Sequence, residues 1–325
     1  MSEKTRQDLP WVEKYRPSTI DEIVSHESAL STINQFIEKN CLPHMLFHGP
    51  PGTGKTTTAH AIAKKLYPSS TNASLLELNA SDDRGIDVIR EQVKRFSSTR
   101  LIFGKGHKLI ILDESDAMTS AAQAALRRIM EQYTSNVRFI LICNYPEKLI
   151  PALRSRCTEF RFPPLPKHDA EVFLRRICES EKLEISQEGI NALLDLGIGD
   201  LRRSINLLQT TSMSSKQISD TSVYRCAGYP LPSEIEQQLN TLMTASLDQS
   251  VASLQSLIDD RGLSLLDVIR EIHSQFVLLE LSPLPMANLL DNLAQIEKRI
   301  AEGACESVQA AAIAAAFQVL RSEVE

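Results

Sequence analysis

The sequence contains few cysteines and few aromatic residues, and it has no long hydrophobic run. Its 325 residues include six cysteines, one tryptophan and 5% aromatic residues in all. No two cysteines form a C-x-x-C pair, so their spacing favours reduced thiols over a disulfide scaffold or a zinc site. The longest uninterrupted apolar run, Ala310 to Phe317, is far shorter than the roughly 20 residues of a membrane-spanning helix. We therefore expect no membrane span.

The N-terminal segment MSEKTRQDLPW lacks the apolar stretch of a secretory signal peptide. The composition, 42% hydrophobic and 23% charged, is typical of globular proteins that bury a full core. The length is sufficient for two or three domains. These features together predict an intracellular, multidomain globular protein.

Charge is distributed unevenly along the chain, although the formal net charge is only -6. Residues 1–165 carry 22 Lys and Arg against 18 Asp and Glu, whereas residues 166–325 carry 13 against 23. The first part is therefore the better candidate for contact with a polyanion.

The first half of the chain alternates short apolar runs with segments of helical spacing. Continuous apolar runs of strand length are typical of parallel strands, because helices cover both faces of a parallel sheet. This alternation predicts an α/β domain with a parallel sheet. The predicted strands are His44–His48, Ser74–Leu78, Lys108–Leu112 and Val137–Cys143, and the predicted helices between them are Thr57–Leu66, Ile86–Phe96 and Ser120–Tyr133.

Two proline-containing segments interrupt the pattern and divide the chain. The segment Phe160–Pro166 has three prolines in four residues, and Gly228–Pro232 forms a second break. Between and after them, apolar residues recur at intervals of three and four, as in amphipathic helices. We predict an α/β domain over residues 1–164, a small helical domain over 165–228 and an all-helical domain over 229–325.

A phosphate-binding loop follows the first predicted strand. Residues 49–56, GPPGTGKT, match G-x-x-x-x-G-K-[ST] at every fixed position and precede a predicted helix. In such loops glycines let backbone N–H groups face the phosphates, and the helix directs its positive end toward them. Lys55 is then placed to reach the β- and γ-phosphates, and Thr56 to ligate Mg²⁺. The loop predicts a nucleoside triphosphate site.

Polar side chains follow two of the predicted strands. Asp113 and Glu114 end the strand KLIIL, and together with the phosphate loop they indicate a Mg²⁺ ligand and a group that orients or deprotonates water. Asn144 ends the strand VRFILIC. Its amide can bind the attacking water or the γ-phosphate, or it can serve only to form the turn before Tyr145-Pro146; the residues alone leave both open.

The motifs GPPGTGKT, LDESD, ICN and SRC together resemble those of the AAA+ clamp-loader ATPases, specifically the small subunits of replication factor C. The stretches WVEKYRP, LNASDDRG, AALRRIM and GDLRRSINLLQ match the same family. The resemblance implies an AAA+ P-loop NTPase domain, a small helical lid domain and an all-helical collar domain. It implies ATP and Mg²⁺ as the ligands of the site.

Specific residues receive roles from this resemblance. Asn144 resembles the sensor of the first domain, Arg202 the sensor arginine of the second, and Arg156 an arginine finger that acts on a neighbouring subunit's site. Trp11 and Tyr15 either pack in the core or lie beside the base. The implied catalytic residues are Lys55, Asp113, Glu114, Asn144 and, in trans, Arg156, with Mg²⁺ held through Thr56 and Asp113. The implied nucleotide contacts are Val12, Arg16, Ile23, Val24, Gly49, Pro50, Pro51, Gly52, Thr53, Gly54, Lys55, Thr56, Thr57, Asn144 and Arg202.

The resemblance also implies contacts with macromolecules. Arg84, Arg90, Lys94 and Lys148 are expected to contact the phosphate backbone of DNA, since basic side chains of this kind track phosphates without reading bases. Apolar residues around Ile129, Met130 and Tyr133 either form an exposed patch that meets the clamp or belong to the core.

The function that the resemblance implies is that of a subunit of the ATP-dependent sliding-clamp loader. Its partners would be the other replication factor C subunits in a hetero-pentamer, the sliding clamp (PCNA) and primer-template DNA, in the nucleus, for replication and repair. An alternative is an AAA+ subunit that binds ATP with little turnover of its own. A Holliday-junction motor of related fold is disfavoured, because the acidic, Ala-rich end of the chain predicts helices rather than a winged helix.

Overall fold

The computed structural model describes residues 9–68, 74–81, 86–99, 107–215, 217–277 and 282–324. The chain divides into two compact units. The first comprises Met1–Leu183 and Leu193–Gln209, and the second comprises Glu184–Ala192 and Thr210–Glu325. The three domain ranges expected from the sequence stay a prediction.

A parallel five-stranded sheet forms the centre of the first unit. Its strands are β1 (Met45–His48), β2 (Leu75–Asn79), β3 (Lys108–Asp113), β4 (Val137–Cys143) and β5 (Thr158–Arg161). They lie in the order β2-β3-β4-β1-β5, and each neighbouring pair is parallel. Because the order places β1 beside both β4 and β5, the loop after β1 lies next to the residues that follow β4.

The helices of the first unit cover both faces of this sheet. Alternate residues of β3 show this: Leu109 and Ile111 belong to one buried cluster, and Ile110 and Leu112 to another. Burial on both faces explains why the strands are continuously apolar. The helices are α1 (Trp11–Lys14), α2 (Glu27–Glu38), α3 (Lys55–Leu66), α4 (Ile86–Ser98), α5 (Ser120–Gln132), α6 (Pro151–Arg154) and α7 (Lys167–Glu181).

The predicted strands and helices of the α/β region are confirmed, and the ends of the strands differ by at most one residue. Strand β5 was not predicted. It is a short edge strand, TEFR, in which only Phe160 is buried, so it lacks the continuous apolar pattern of the inner strands.

A buried lysine and a half-buried histidine form hydrogen bonds at the amino-terminal end of this sheet. Lys108, 5% exposed, donates from Nζ to the carbonyl of Phe96 at 3.1 Å and to Oγ1 of Thr99 at 2.6 Å, at the C-terminal end of α4. On β4, the backbone N–H of Phe139 donates to Nδ1 of His44 at 3.2 Å. Burial is the main cause that lowers the pKa of His44 to about 4, so this imidazole accepts the bond in its neutral form.

The helices after α7 are α8 (Gln187–Gly197), α9 (Leu201–Ser214), α10 (Asp220–Ala227), α11 (Pro232–Thr244), α12 (Leu247–Arg261), α13 (Leu265–Phe276), α14 (Pro283–Ala301) and α15 (Glu306–Val324). The second unit also holds a short parallel pair, β6 (Glu184–Ile185) and β7 (Gln217–Ile218). Helices α11 to α15 enclose one apolar core, in which the rings of Phe276 and Phe317 meet edge to face at 5.8 Å. Within the described residues, no helix is both long and apolar enough to cross a membrane.

Candidate nucleotide-binding site

The loop between β1 and α3 depends on three glycines. Gly49, Gly52 and Gly54 have φ angles of +146°, +69° and +93°, which side-chain-bearing residues rarely adopt. A Cβ on Gly49 would lie 2.0 Å from the carbonyl oxygen of Phe162, and one on Gly52 would lie 1.7 Å from Oδ1 of Asp200. The loop therefore forms a close-fitting backbone cradle that ends at the N-terminus of α3, where backbone N–H groups bind phosphate.

Lys55 begins α3 and turns back into this cradle. Its Nζ donates to the carbonyls of Gly49 at 2.8 Å and Pro50 at 2.7 Å, and to Oδ1 of Asn144 at 3.0 Å. Burial lowers the pKa of Lys55, while the carboxylates of Asp113 and Asp116 act in the opposite direction. The loop thus holds a buried ammonium group beside the N-terminus of a helix, which suits a phosphate ligand.

Thr56 and Asp113 provide oxygen atoms next to Lys55. The hydroxyl of Thr56 donates to Oδ2 of Asp113 at 2.8 Å, which joins the first turn of α3 to the end of β3. A hydroxyl and a carboxylate beside a phosphate loop are the oxygen ligands that Mg²⁺ takes together with nucleotide phosphates. These residues therefore fit Mg²⁺ in the way that the sequence predicts.

Glu114 follows β3 with φ 51° and ψ 38°, the left-handed region that is strained for a residue with a side chain. Its backbone N–H donates to Oδ1 of Asp113 at 2.8 Å. The side chain is exposed and lines the same pocket as Lys55 and Thr56. Its carboxylate is thus accessible to a water molecule in the pocket.

The position of Asn144 bears on the choice between a nucleotide-facing amide and a simple turn residue. Its side chain contacts Lys55, and its backbone N–H donates to Oδ2 of Asp116 at 3.3 Å. The same carboxylate oxygen accepts the N–H of Tyr145 at 3.2 Å. Asn144 therefore takes part in the turn and also directs its amide toward the phosphate loop.

These residues surround one pocket with a volume of about 200 Å³. The predicted residues that line it are Val12, Arg16, Ile23, Val24, Pro51, Gly52, Thr53, Gly54, Lys55, Thr56, Thr57, Asp113, Glu114, Asn144 and Arg202. The wall also includes Tyr15, Pro17, Ser25, Leu165, Phe173, Leu201 and Ile205. The sequence leaves the role of Tyr15 open and indicates no role for the other six. They come from separate segments that only the fold brings together, so no local pattern could have identified the set.

The N-terminal segment is hydrogen-bonded at two points. The N–H of Trp11 donates to Oε1 of Gln209 at 3.0 Å, and the hydroxyl of Tyr15 donates to Oε1 of Glu181 at 2.6 Å. Lys14 pairs with the same carboxylate at 2.5 Å. Of the two aromatic residues left open by the sequence, only Tyr15 lines the pocket.

Arg202 is positioned by a residue that was not proposed for the site. Oδ1 of Asp200 accepts the backbone N–H groups of Arg202 at 2.9 Å and Arg203 at 3.2 Å, which makes Asp200 the N-cap of α9. Because Gly52 has no side chain, this cap can contact the phosphate loop. An Asp directly before a predicted helix indicates a cap, but the contact with the loop required the fold.

Arg156 does not line the pocket. Its guanidinium donates to the carbonyl of Ala152 at 2.6 Å and forms an ion pair with Glu131, which also pairs with Arg127 at 3.1 Å. The side chain is 32% exposed. It is therefore accessible from outside while being held by a carboxylate, and its position is compatible with a role outside its own pocket.

Of the predicted DNA contacts, the structure describes the side chains of Lys94 and Lys148, and neither lines the pocket. Lys94 is exposed on α4, and Nζ of Lys148 lies 4.8 Å from the centre of the Tyr145 ring. Arg84 and the side chain of Arg90 lie outside the described residues.

The burial of Ile129 and Met130 shows whether α5 carries an exposed apolar patch. Ile129 and Met130 are 7% and 1% exposed and belong to the core cluster on one face of the sheet, against which Tyr133 packs. The hypothesis that Ile129 and Met130 form an exposed clamp contact is therefore wrong, because the sheet covers them.

Comparison with known families identifies two regions of the chain. A model of the ATPase family associated with various cellular activities (AAA) matches residues 45–165, and one of the replication factor C C-terminal domain matches residues 230–316. Replication factor C subunit 5 of Homo sapiens is 48% identical over 316 residues, covering 97% of this chain and 93% of that protein. Replication factor C subunit 3 of Saccharomyces cerevisiae is 44% identical over 321 residues, covering 97% and 94%.

The fold itself is similar to that of a solved ATPase. The Holliday junction branch migration motor RuvB of Thermotoga maritima superimposes with a TM-score of 0.55 at 18% identity, covering 83% of this chain and 93% of that one. At this identity the likeness shows the fold alone. Together with the family matches it confirms the predicted AAA+ fold with its all-helical C-terminal region. On the extent and identity of the matches along its length, the chain belongs to the replication factor C family of AAA ATPase subunits.

Proposed function

We propose that this chain is an ATP-hydrolysing subunit of a clamp loader, the assembly that opens a ring-shaped sliding clamp and places it on primer-template DNA. The observation that carries the proposal is the convergence of Lys55, Thr56, Asp113 and Glu114 on one pocket. Membership of the replication factor C family indicates that the assembly is a clamp loader. Hydrolysis of ATP in this pocket would supply the free energy that the assembly needs to open and load the clamp.

The phosphate loop would bind the triphosphate of ATP through its backbone N–H groups and Lys55. Thr56 and Asp113, which share a hydrogen bond of 2.8 Å, would hold Mg²⁺. When bound there, Mg²⁺ neutralises charge that develops on the transferred phosphoryl group. The buried Lys55 ammonium adds a positive charge in a medium less polar than water.

Glu114 would orient or deprotonate the water that attacks the γ-phosphate. Its carboxylate is exposed on the pocket wall, so a water molecule can reach it. Asn144, already directed toward Lys55, would bind the same water or the γ-phosphate. Arg202, which lies at the start of α9 and lines the same pocket, would also contact the phosphates.

Arg156 would complete the site of a neighbouring subunit rather than its own. A guanidinium that is always charged can neutralise charge on the γ-phosphoryl oxygens, and arginine fingers of this kind change rates by about 10³ to 10⁵ in other NTPases. The absence of Arg156 from the wall of its own pocket, among the described residues, supports this arrangement. The partners would be the other replication factor C subunits in a hetero-pentamer.

The clamp loader would act in the nucleus, in DNA replication and repair, with PCNA as its clamp. Lys94 and Lys148, with Arg84 and Arg90, would contact DNA phosphates without reading the sequence. The exposure of Lys94 and Lys148 supports this part of the proposal.

The test compares Glu114→Gln with the unaltered chain in the natively co-purified complex. We expect strong stimulation of steady-state ATPase activity by primed DNA and the clamp, and a clear loss of that stimulated rate in Glu114→Gln. The control is Glu147→Gln, which alters an exposed carboxylate outside the pocket wall. Stimulation that Glu114→Gln leaves unchanged would instead support a subunit that binds ATP and serves as a scaffold and arginine-finger donor.

A further inference from the structure

A third carboxylate follows Asp113 and Glu114 and does not line the pocket. Asp116 lies in a 3₁₀ turn over Ser115–Ala117, directly after β3. Its Oδ2 accepts the backbone N–H groups of Asn144 at 3.3 Å and Tyr145 at 3.2 Å. A single carboxylate oxygen therefore ties the residues after β3 to the residues after β4.

This tie lies where the sheet no longer holds the two strands together. The register of β3 with β4 ends at Leu112 opposite Leu141, whereas Asn144 lies three residues further along the chain. Asp116 supplies hydrogen bonds across this interval. On its other side β4 stays paired with β1 up to Cys143, opposite His48. Asp116 is therefore a tie between the end of β3 and the turn at Asn144 beyond the last β3–β4 pair.

The contact extends from Asn144 to the phosphate loop. Oδ1 of Asn144 accepts a hydrogen bond from Nζ of Lys55 at 3.0 Å, and Lys55 also bonds the carbonyls of Gly49 and Pro50. Movement of the turn at Asn144 would therefore move one of three acceptors that fix the ammonium group. Because this group is buried, it has few other polar partners to replace the lost acceptor.

We propose that Asp116 is a positioning residue of the ATPase site, which fixes the Asn144–Tyr145 turn so that Asn144 holds Lys55 toward the γ-phosphate. The proposal rests on the function proposed above and adds a residue to it. Both hydrogen bonds that the Asp116 carboxylate accepts come from backbone N–H groups of the turn, and its side chain does not line the pocket, so its positioning effect passes through Asn144. Its negative charge also favours the charged form of Lys55 directly.

Two substitutions test whether Asp116 acts as a hydrogen-bond acceptor. Asp116→Asn keeps a side-chain oxygen that can accept the two N–H bonds, whereas Asp116→Ala removes both bonds. Hydrogen bonds to a charged acceptor are worth enough that losing them is expected to change a dependent equilibrium by roughly tenfold or more. Glu147→Ala is the matched control, because it removes an exposed carboxylate from the adjoining 3₁₀ turn Pro146–Lys148.

The first measurement is the affinity of the full chain for ATPγS and for ADP by calorimetry. Since the proposed function places Asn144 and Lys55 at the γ-phosphate, Asp116→Ala should weaken ATPγS binding about tenfold more than ADP binding. Asp116→Asn and Glu147→Ala should keep the ratio of the two affinities within about threefold of the unaltered chain. Equal weakening of both nucleotides, or no weakening, in Asp116→Ala would overturn the proposal.

The second measurement is turnover by the co-purified complex, with Glu114→Gln as the reference. Asp116→Ala should lower kcat while leaving the melting temperature near that of Asp116→Asn, which should retain most of the rate. If Glu114→Gln leaves turnover unchanged, the proposed ATPase role of this chain fails, and the ratio of ATPγS to ADP affinity decides the role of Asp116. Equal loss of kcat and of melting temperature in both Asp116 variants would reduce Asp116 to a general structural role and refute the proposal.

Discussion

Replacing Gly49 with alanine should break the phosphate loop, although the change adds a single methyl group. The new Cβ would lie 2.0 Å from the carbonyl oxygen of Phe162, whereas real Cβ atoms essentially never approach another atom within 3.0 Å. The loop or Phe162 would have to move by about 1 Å or more to relieve an overlap of this size. The backbone at Gly49, with φ +146°, also disfavours alanine.

Phe162 is held in place by its surroundings and cannot easily move to relieve this overlap. Its N–H donates to the carbonyl of His48 at 2.8 Å, its side chain is fully buried, and its ring packs 5.1 Å from Phe47 and 4.9 Å from His26. Overpacking in such an environment costs about 1–3 kcal/mol or more, and the unusual backbone conformation adds roughly 1–3 kcal/mol. We therefore expect the loop to shift instead, which would misplace Lys55 and its acceptors.

Two assays of the purified chain test this reasoning: titration with a fluorescent ATP analogue and thermal unfolding. Gly49→Ala should lose nucleotide affinity by about a hundredfold and unfold several degrees lower. The control is Gly228→Ala, which has φ +68° and no atom within 4 Å of the added Cβ, so only about 1–2 kcal/mol of backbone strain is expected. An affinity in Gly49→Ala equal to that in Gly228→Ala would refute the steric argument.

Three further predictions follow from contacts outside the phosphate loop. Arg156→Ala should leave ATP binding to this chain intact and lower the ATPase rate of the assembled complex at least tenfold. The control Arg154→Ala, which removes an ion pair at the end of α6, two residues before Arg156, should not lower the rate, and equal rates in the two variants would contradict the trans assignment. Burial holds the pKa of His44 at about 4 in the folded chain, below the ordinary value of about 6.5. The unfolded chain therefore binds this proton more tightly than the folded chain does, and the free energy of unfolding falls as the pH drops from 6.5 toward 4. His44→Asn, which can still accept from Phe139, should show a smaller loss in urea titrations over this range, and an unchanged pH dependence would exclude this cause. Lys108→Met should destabilise the first unit by about 1–3 kcal/mol, since it removes the two hydrogen bonds that the Lys108 ammonium donates at the end of α4. An unaltered urea midpoint would show that these bonds are dispensable.

The sequence was sufficient for the parts of the site that a short segment encodes. The phosphate loop at 49–56 and the carboxylates after β3 are local patterns, because glycine conformation, strand hydrophobicity and helix initiation depend on neighbouring residues. Continuous apolar runs likewise predicted β1 to β4, whose burial on two faces leaves a clear pattern. Strand β5 left no such pattern, since it lies at the edge of the sheet.

Other features depended on segments far apart in the sequence. The contact of Asp200 with Gly52 and the bonds from Asp116 to Asn144 and Tyr145 join residues that only folding brings together. The amphipathic pattern of α5 was compatible with either an exposed patch or a core, and packing against the sheet buried Met130. Local sequence thus determined which groups carry the chemistry, whereas tertiary structure decided which of them meet, because a contact between distant segments depends on the packing of every element between them.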